Sequence, residues 1–270
     1  IHPFTLVGVN NAYARGLSGS GKTIAILDTE FRNPSNLTHS EFSGKSITSY
    51  GTIVAGGSAS TAYHGMHVAG LAAAGYHNNS SSFVTSNSNT ADWSTNNEGD
   101  LRNSLTGTYP SGYYPLLNYG VMGVAYNANL HISDYTQTSS GSQVAFWALA
   151  TEQAKSASAI AQNNSWDFAS LNIDTLVNYQ NNNGTSDGAT YSALGGDTST
   201  NWDAYASALN DFQSAGGVVV RAAGNTASDT QVKGIAGMPL IYTNLAESWL
   251  VVGNLDVTGN TINSSSVTRY

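Results

Sequence analysis

The chain has 270 residues with a 40% hydrophobic fraction, enough to bury a substantial core in one large α/β domain or two small ones. Its 9 basic and 17 acidic side chains give a formal charge of -8, which repels phosphate backbones and anionic headgroups and argues against nucleic acid and membrane surfaces as partners. No run of about 18 apolar residues occurs, so no segment is expected to insert into a bilayer. Cysteine is absent, which rules out disulfides and thiolate metal sites and fits an oxidising setting outside the cell. The chain starts at Ile1 rather than at Met, which points to removal of an upstream signal or pro-segment. Only 10% of residues are charged while Gly, Asn, Ser and Thr abound, a texture of turns and polar loops expected of a secreted or cell-surface bacterial protein.

In chain order, the apolar run Thr23-Ile24-Ala25-Ile26-Leu27 follows the turn Gly19-Ser20-Gly21 and is too short for a helix, so it predicts a buried parallel strand ending at Asp28. His64 to Ala74 is small and apolar and closes at Gly75, which predicts a tightly packed helix with His64 in its first turn. Residues 77–119 show no sustained period and read as a long surface insertion. Regular structure is expected to resume at Gly123-Val124-Ala125, followed by a strand over Asn129–Ser133, a helix over Gln143–Lys155 and a strand over Ala159–Ser165. A second polar insertion, 167–200, precedes an amphipathic helix over Trp202–Ser214 with Gly216-Gly217 as its stop, and the strand Val218–Ala223 follows. Short apolar strands alternating with helices predict a mostly parallel central sheet with helices on both faces, which binds ligands at the strands' carboxyl ends. With no repeat and no linker, residues 1–270 read as a single domain.

Four of these element ends carry chemistry: Asp28, His64, Asn164-Ser165-Trp166 and Gly224-Asn225. Taken singly, each has an ordinary explanation. Asp28 reads as a loop or capping residue, Asn225 as a turn residue, and Trp166 as a core aromatic. His64 and His67, three apart on a helix, share a face and could pair on a metal, although no Glu completes a zincin motif.

Taken in order, the segments Ala25-Ile26-Leu27-Asp28-Thr29, His64-Gly65-Met66-His67-Val68-Ala69-Gly70, Gln162-Asn163-Asn164-Ser165-Trp166 and Val219-Val220-Arg221-Ala222-Ala223-Gly224-Asn225 resemble the motifs of the subtilisin-like serine proteases. Tyr119 to Ala125 and Trp249 to Ser266 resemble further family segments, so the resemblance covers nearly the whole chain outside the two insertions. It implies a three-layer subtilisin-like α/β fold and a secreted endopeptidase with an Asp-His-Ser triad acting through an acyl-enzyme. Asp28 would orient His64, His64 would act as general base and then general acid, and Asn225 would donate to the oxyanion. His67 would be structural. The polypeptide substrate would lie as an extended strand between Asn164-Ser165-Trp166 and Ala222-Ala223-Gly224, which flank the S1 pocket.

Some residues depart from the family pattern. Asp167 stands where the family commonly has Gly, which implies a negatively charged rim and a basic P1 preference, and Met66 replaces the usual Thr. The family's Gly-Thr-Ser segment with the nucleophile has no counterpart after Asn225, and none of Ser264, Ser265 or Ser266 is assigned its role. The domain is therefore expected to be incomplete on its C-terminal side. The remainder of the same domain, carrying the serine, would be a noncovalent partner covering an apolar sheet face. A noncatalytic peptide-binding pseudoprotease and a subtilisin-like transpeptidase or macrocyclase remain alternatives. The family needs no cofactor. Calcium often stabilises its members, and Asp92, Glu98 and Asp100 are the candidate ligands, with solvated loop carboxylates as the plainer account. The Gly-, Asn- and Ser-rich texture is also similar to that of autotransporter passengers.

Overall fold

The structure is a computed structural model that describes residues 8–31, 42–53, 64–75, 123–168, 171–224, 232–253 and the strand residues 257–258 and 261–262. In chain order its elements are α1 (Val9–Ala14), β1 (Thr23–Asp28), β2 (Ile47–Tyr50), α2 (His64–Ala73), β3 (Asn129–Asp134), α3 (Gln143–Ser156) and β4 (Ala159–Asn164), then α4 (Ile173–Asn183), α5 (Asp187–Gly195), α6 (Ser199–Ser214), β5 (Val218–Ala222), β6 (Trp249–Val252), β7 (Val257–Thr258) and β8 (Thr261–Ile262). Six strands form one sheet in the order β2-β3-β1-β4-β5-β6, with β1, β4, β5 and β6 paired in parallel, and β7 and β8 form a short antiparallel pair. This is the α/β class expected from the alternation of strands and helices.

The chain divides into two compact units, one of Ile1–Gly21, Glu30–Ile47 and Val54–Asn129, the other of Lys22–Thr29, Thr48–Ile53 and Leu130–Tyr270. The second holds the sheet and a core built from Ala25 and Leu27 of β1, Val144, Trp147 and Ala148 of α3, Trp202, Tyr205 and Leu209 of α6, and Val219 of β5. Strand alternation puts these β-residues on one face and their neighbours on the other. On that reverse face Val220 and Ala222 are half-buried, and their register partners on β6, Leu250 and Val252, are 55% and 54% exposed. Indoles dominate the covered side: Trp147 lies 4.6 Å from Trp166 and 6.1 Å from Trp202, centroid to centroid. Each indole N–H is satisfied by a backbone carbonyl, from Trp147 to Tyr135 at 2.7 Å, from Trp202 to Gly196 at 2.8 Å and from Trp166 to Leu27 at 2.7 Å.

Most predicted boundaries fall within a residue or two of the observed ones. The helix expected over Trp202–Ser214 begins earlier, at Ser199, because the Thr198 hydroxyl accepts the Asn201 N–H at 3.2 Å and caps it. It stops where predicted, at Gly216 (φ 89°), and at Gly217 a β-carbon would stand 2.3 Å from the Phe212 ring. The larger difference is in 167–200, expected to be a polar excursion but containing α4 and α5. Their Asn, Thr and Gly residues are weak helix formers, and tertiary burial of Ile173, Leu176 and Tyr191 holds them instead. The stretch 77–119 lies outside the described residues.

Asp197 joins two helix starts. Its carboxylate accepts the Ser142 hydroxyl, the Asn201 amide at 2.6 Å and the Thr198 N–H at 2.7 Å, while Ser142 itself caps α3 by accepting the Ala145 N–H at 2.9 Å. Burial raises the carboxyl's pKa, but the hydrogen bonds from Ser142, Asn201, Thr198 and the Val144 backbone outweigh it and hold the group below the usual carboxylate range.

In the first unit, α2 ends against a turn. Gly123, Val124 and Ala125 donate their N–H groups to the carbonyls of Ala74 (3.0 Å), Leu71 (2.9 Å) and Ala72 (2.8 Å), which satisfies the last turn of the helix. These residues thus cap the helix. A β-carbon on Gly123 would stand 2.4 Å from the Ala74 nitrogen.

Two outcomes follow. Gly123→Ala is expected to destabilise the protein by about 2 kcal/mol or more in denaturant titration. Asp197→Asn is expected to lower Tm at neutral pH. A depressed carboxyl stabilises above its unfolded pKa, so the difference should shrink as pH falls below about 4 and through the folded value, and a pH-independent difference would contradict the assignment.

Candidate active site

Parallel register brings the carboxyl ends of β1, β4 and β5 into a row. Ile26 pairs with Asn163, and Asn164 with Arg221, so Asp28, Asn164 and Ala222 all terminate at one edge of the sheet. Asp28 is 0% exposed. Its Oδ1 accepts the Thr29 N–H at 2.7 Å, and its carbonyl accepts the Tyr135 N–H at 3.0 Å. The preceding Leu27 carbonyl takes the Trp166 indole N–H, so the strand end is gripped from β3's side and from β4's. Thr29 donates its hydroxyl to Asp134 at 3.2 Å.

Beyond the residues that β4 and β5 pair with each other, the chain continues as two segments, 165–167 and 222–224. Asn164, fully buried, bridges them at their root: its amide nitrogen donates to the carbonyls of Gln162 (3.1 Å) and Val220 (3.2 Å), and its Oδ1 accepts from Gln162 at 3.2 Å. Ser165 accepts a hydrogen bond from Asn163 at 2.8 Å and is partly exposed. Trp166 is 6% exposed and packs in the aromatic core, stacked on Tyr135 at 4.6 Å, which is the environment of the core-aromatic alternative. Ala222 is half-buried, Ala223 is buried, and Gly224 is partly exposed with φ 133°, a conformation that suits glycine. Ala223 is fixed on both sides, donating to Val252 (2.9 Å) and accepting from Lys233 (3.2 Å).

Arg221 is the residue that sequence reasoning quoted without assigning a role. Its side chain is 0% exposed, with the guanidinium carbon 4.7 Å from the Trp166 ring centroid, 5.7 Å from Tyr205 and 5.8 Å from Trp249. It donates to the Tyr205 hydroxyl. Burial pulls its pKa down to about 9, against support from Tyr191 and Asp167. The Asp167 charge, from which a basic P1 preference was expected, therefore acts on Arg221. A lone arginine inside the apolar run Val218–Ala223 was the signal available in the sequence.

In the other unit, His64 is the first residue of α2 and is exposed, as is His67. The backbone N–H of His64 is held by the Glu30 carboxylate at 3.4 Å, an acid at a helix N-terminus where the exposed amides favour it. Glu30 itself lies in the left-handed region, φ 63°, a costly backbone for a non-glycine residue. Sequence reasoning missed it. Among the described residues, no group of three or more His, Asp or Glu side chains could hold a metal. Asn225, the candidate calcium ligands Asp92, Glu98 and Asp100, and Ser264–Ser266 lie outside the described residues. Asp28 and segments 165–167 and 222–224 belong to one unit, and His64 belongs to the other.

A sheet with parallel β1, β4, β5 and β6, alternating with helices along the chain and carrying a buried carboxylate at the end of an inner strand, defines an α/β protein, a class that binds ligands beyond the carboxyl ends of its strands. The model of the subtilase family matches residues 19–269, and the chain belongs to that family of serine proteases. Its fold is similar to that of the prenylagaramide maturation protease PagA, at 17% identity and TM-score 0.50, covering 92% of this chain and 59% of that one. Also similar are the psychrophilic subtilisin-like protease Apa1 from the Antarctic psychrotroph Pseudoalteromonas sp. AS-11 (20% identity, TM-score 0.46, 92% of this chain and 40% of that one) and the PatG macrocyclase in complex with peptide (13%, 0.47, 99% and 68%). A comparison with curated proteins gives no match. The chain thus spans about three fifths of the length of PagA.

Proposed function

We propose that the chain forms part of a secreted serine endopeptidase that hydrolyses peptide bonds through an acyl-enzyme. Asp28 orients the base, His64 takes the proton of the nucleophile and returns it to the leaving amine, and Asn225 donates to the oxyanion. The nucleophilic serine comes from polypeptide other than these 270 residues, packed on the sheet as the missing part of the domain. The observation that carries the reading is Asp28, a carboxylate taken wholly out of water at the carboxyl end of β1 within a chain of the subtilase family. In this chemistry a buried carboxylate at the strand end fixes the imidazole and stabilises the imidazolium formed during each turnover. The half-exposed Leu250 and Val252 support a covering segment, since apolar strand residues of a parallel sheet are ordinarily buried on both faces. The absence of cysteine and the turn-rich composition support an address outside the cell.

The reaction needs two charge-stabilising events. In the acylation step the serine Oγ bonds to the scissile carbonyl carbon, its proton passes to His64, and the negative charge that develops on the carbonyl oxygen is met by Asn225. Collapse of this intermediate breaks the C–N bond as His64 protonates the amine, and water then repeats the sequence to release the acid.

In the full polypeptide containing the nucleophile, Asp28→Asn is expected to lower kcat by about 10⁴ with the fold retained by circular dichroism. Activity within tenfold of the parent would remove Asp28 from the mechanism. Asn225→Ala should reduce kcat about 10²–10³-fold with KM nearly unchanged, because the oxyanion exists only beyond the ground state. A rise in KM alone would contradict that role.

A further inference from the structure

We propose that Glu30 is a positioning residue for the base: its carboxylate anchors the backbone at the start of α2 and so sets where the His64 imidazole is presented. The inference rests on the peptidase reading above and adds to it a residue outside the triad. Two features of Glu30 carry it, the conformation of its backbone and the partner of its side chain.

Glu30 lies two residues beyond Asp28 in the chain and has φ 63°. In this region the β-carbon crowds the following carbonyl oxygen, a cost that glycine would not meet. Such a backbone persists where its surroundings over-determine it. On one side Thr29 donates its N–H to the Asp28 carboxylate at 2.7 Å and its hydroxyl to Asp134 at 3.2 Å, and on the other Phe31 is fully buried. The chain therefore keeps a side chain at a position where glycine would be easier. What that side chain does is visible: its Oε2 accepts the His64 N–H at 3.4 Å.

His64 is the first residue of α2, and the first N–H groups of a helix have no acceptor within it. The first turn of α2 holds no acidic residue of its own, so the carboxylate that suits this end of the helix comes from Glu30, 34 positions earlier. Glu30 is partly buried, which lessens the screening of its charge by solvent and salt. Its contact falls on the backbone of the one residue of α2 assigned a role in proton transfer. Only χ1 and χ2 separate that backbone from the imidazole, so holding the N–H restricts the ring to a few staggered placements. Proton transfer needs this precision, since a misplacement of about 1 Å costs about a hundredfold in rate.

The test uses the full polypeptide containing the nucleophile. Glu30→Gly relieves the backbone and removes the carboxylate, and Glu30→Gln keeps an acceptor without the charge. Each is measured for kcat and KM on one peptide, for thermal unfolding, and for hydrogen exchange of the His64 amide in isotope-labelled protein. Glu30→Gly is expected to lower kcat about tenfold with KM nearly unchanged, to keep a Tm at or above the parent's, and to speed His64 amide exchange about tenfold. Glu30→Gln should fall between the two. A contact that serves only the fold would lower Tm and leave kcat per folded molecule as it was. The proposal is overturned by a Glu30→Gly variant whose kcat per folded molecule stays within about twofold of the parent, or whose KM alone rises. Should the parent cleave no peptide and take up no fluorophosphonate label, the peptidase reading fails instead, and the anchoring is judged by exchange alone: faster exchange at His64 in folded Glu30→Gly supports it, and an unchanged rate refutes it.

Discussion

The structure depends on the parallel register of β1, β4 and β5. Because Ile26 faces Asn163 and Asn164 faces Arg221, three strands end in step, and residues from parts of the sequence more than a hundred positions apart reach the same edge. Each contribution is then fixed locally. The end of β1 is held by the Tyr135 N–H and the Trp166 indole, and the roots of β4 and β5 are joined by the Asn164 amide. A slip of one residue would turn Asp28 toward the aromatic core and bring Leu27 to its place on the opposite face.

The two faces of the sheet are unequal. One is filled by α3, α6 and an array of indoles whose N–H groups, among the described residues, all find carbonyls. The other carries Leu250 and Val252 into solvent. Arg221 belongs to the filled side, and its placement there resolves an apparent conflict in the sequence: a full charge within a run of valines and alanines is tolerated because three aromatic faces and the Tyr205 hydroxyl surround it. The Asp167 charge, which alone suggests a taste for basic substrates, acts on this cation.

Much of this was legible in the sequence because parallel strands announce themselves as short continuous apolar runs. The runs Thr23–Leu27, Ala159–Ser165 and Val218–Ala223 placed β1, β4 and β5 to within a residue, and the subtilase family could be read from the segments at their ends together with the one that begins α2. The helices α4 and α5 were not legible. Their Asn- and Gly-rich sequence carries little helical propensity, and the burial of Tyr191, whose hydroxyl bonds the Gly234 carbonyl at 2.7 Å, is a long-range fact. Nor could composition reveal that Gly123–Ala125 caps α2, or that Glu30 holds the His64 amide, since both depend on backbone groups meeting across many residues. Trp166 shows the same limit from the other direction: its place in a family-like motif led to the expectation of a substrate segment, while its packing is that of the core.

The central proposal is that Asp28 serves the imidazole of His64. Proton NMR of the full polypeptide with labelled histidine measures this most directly. The account predicts a far-downfield Nδ1–H resonance from His64, the mark of a strong hydrogen bond to a buried carboxylate, which disappears in Asp28→Ala while the remaining histidine signals persist. An ordinary, solvent-exchanging His64 ring, indifferent to the loss of Asp28, would contradict it.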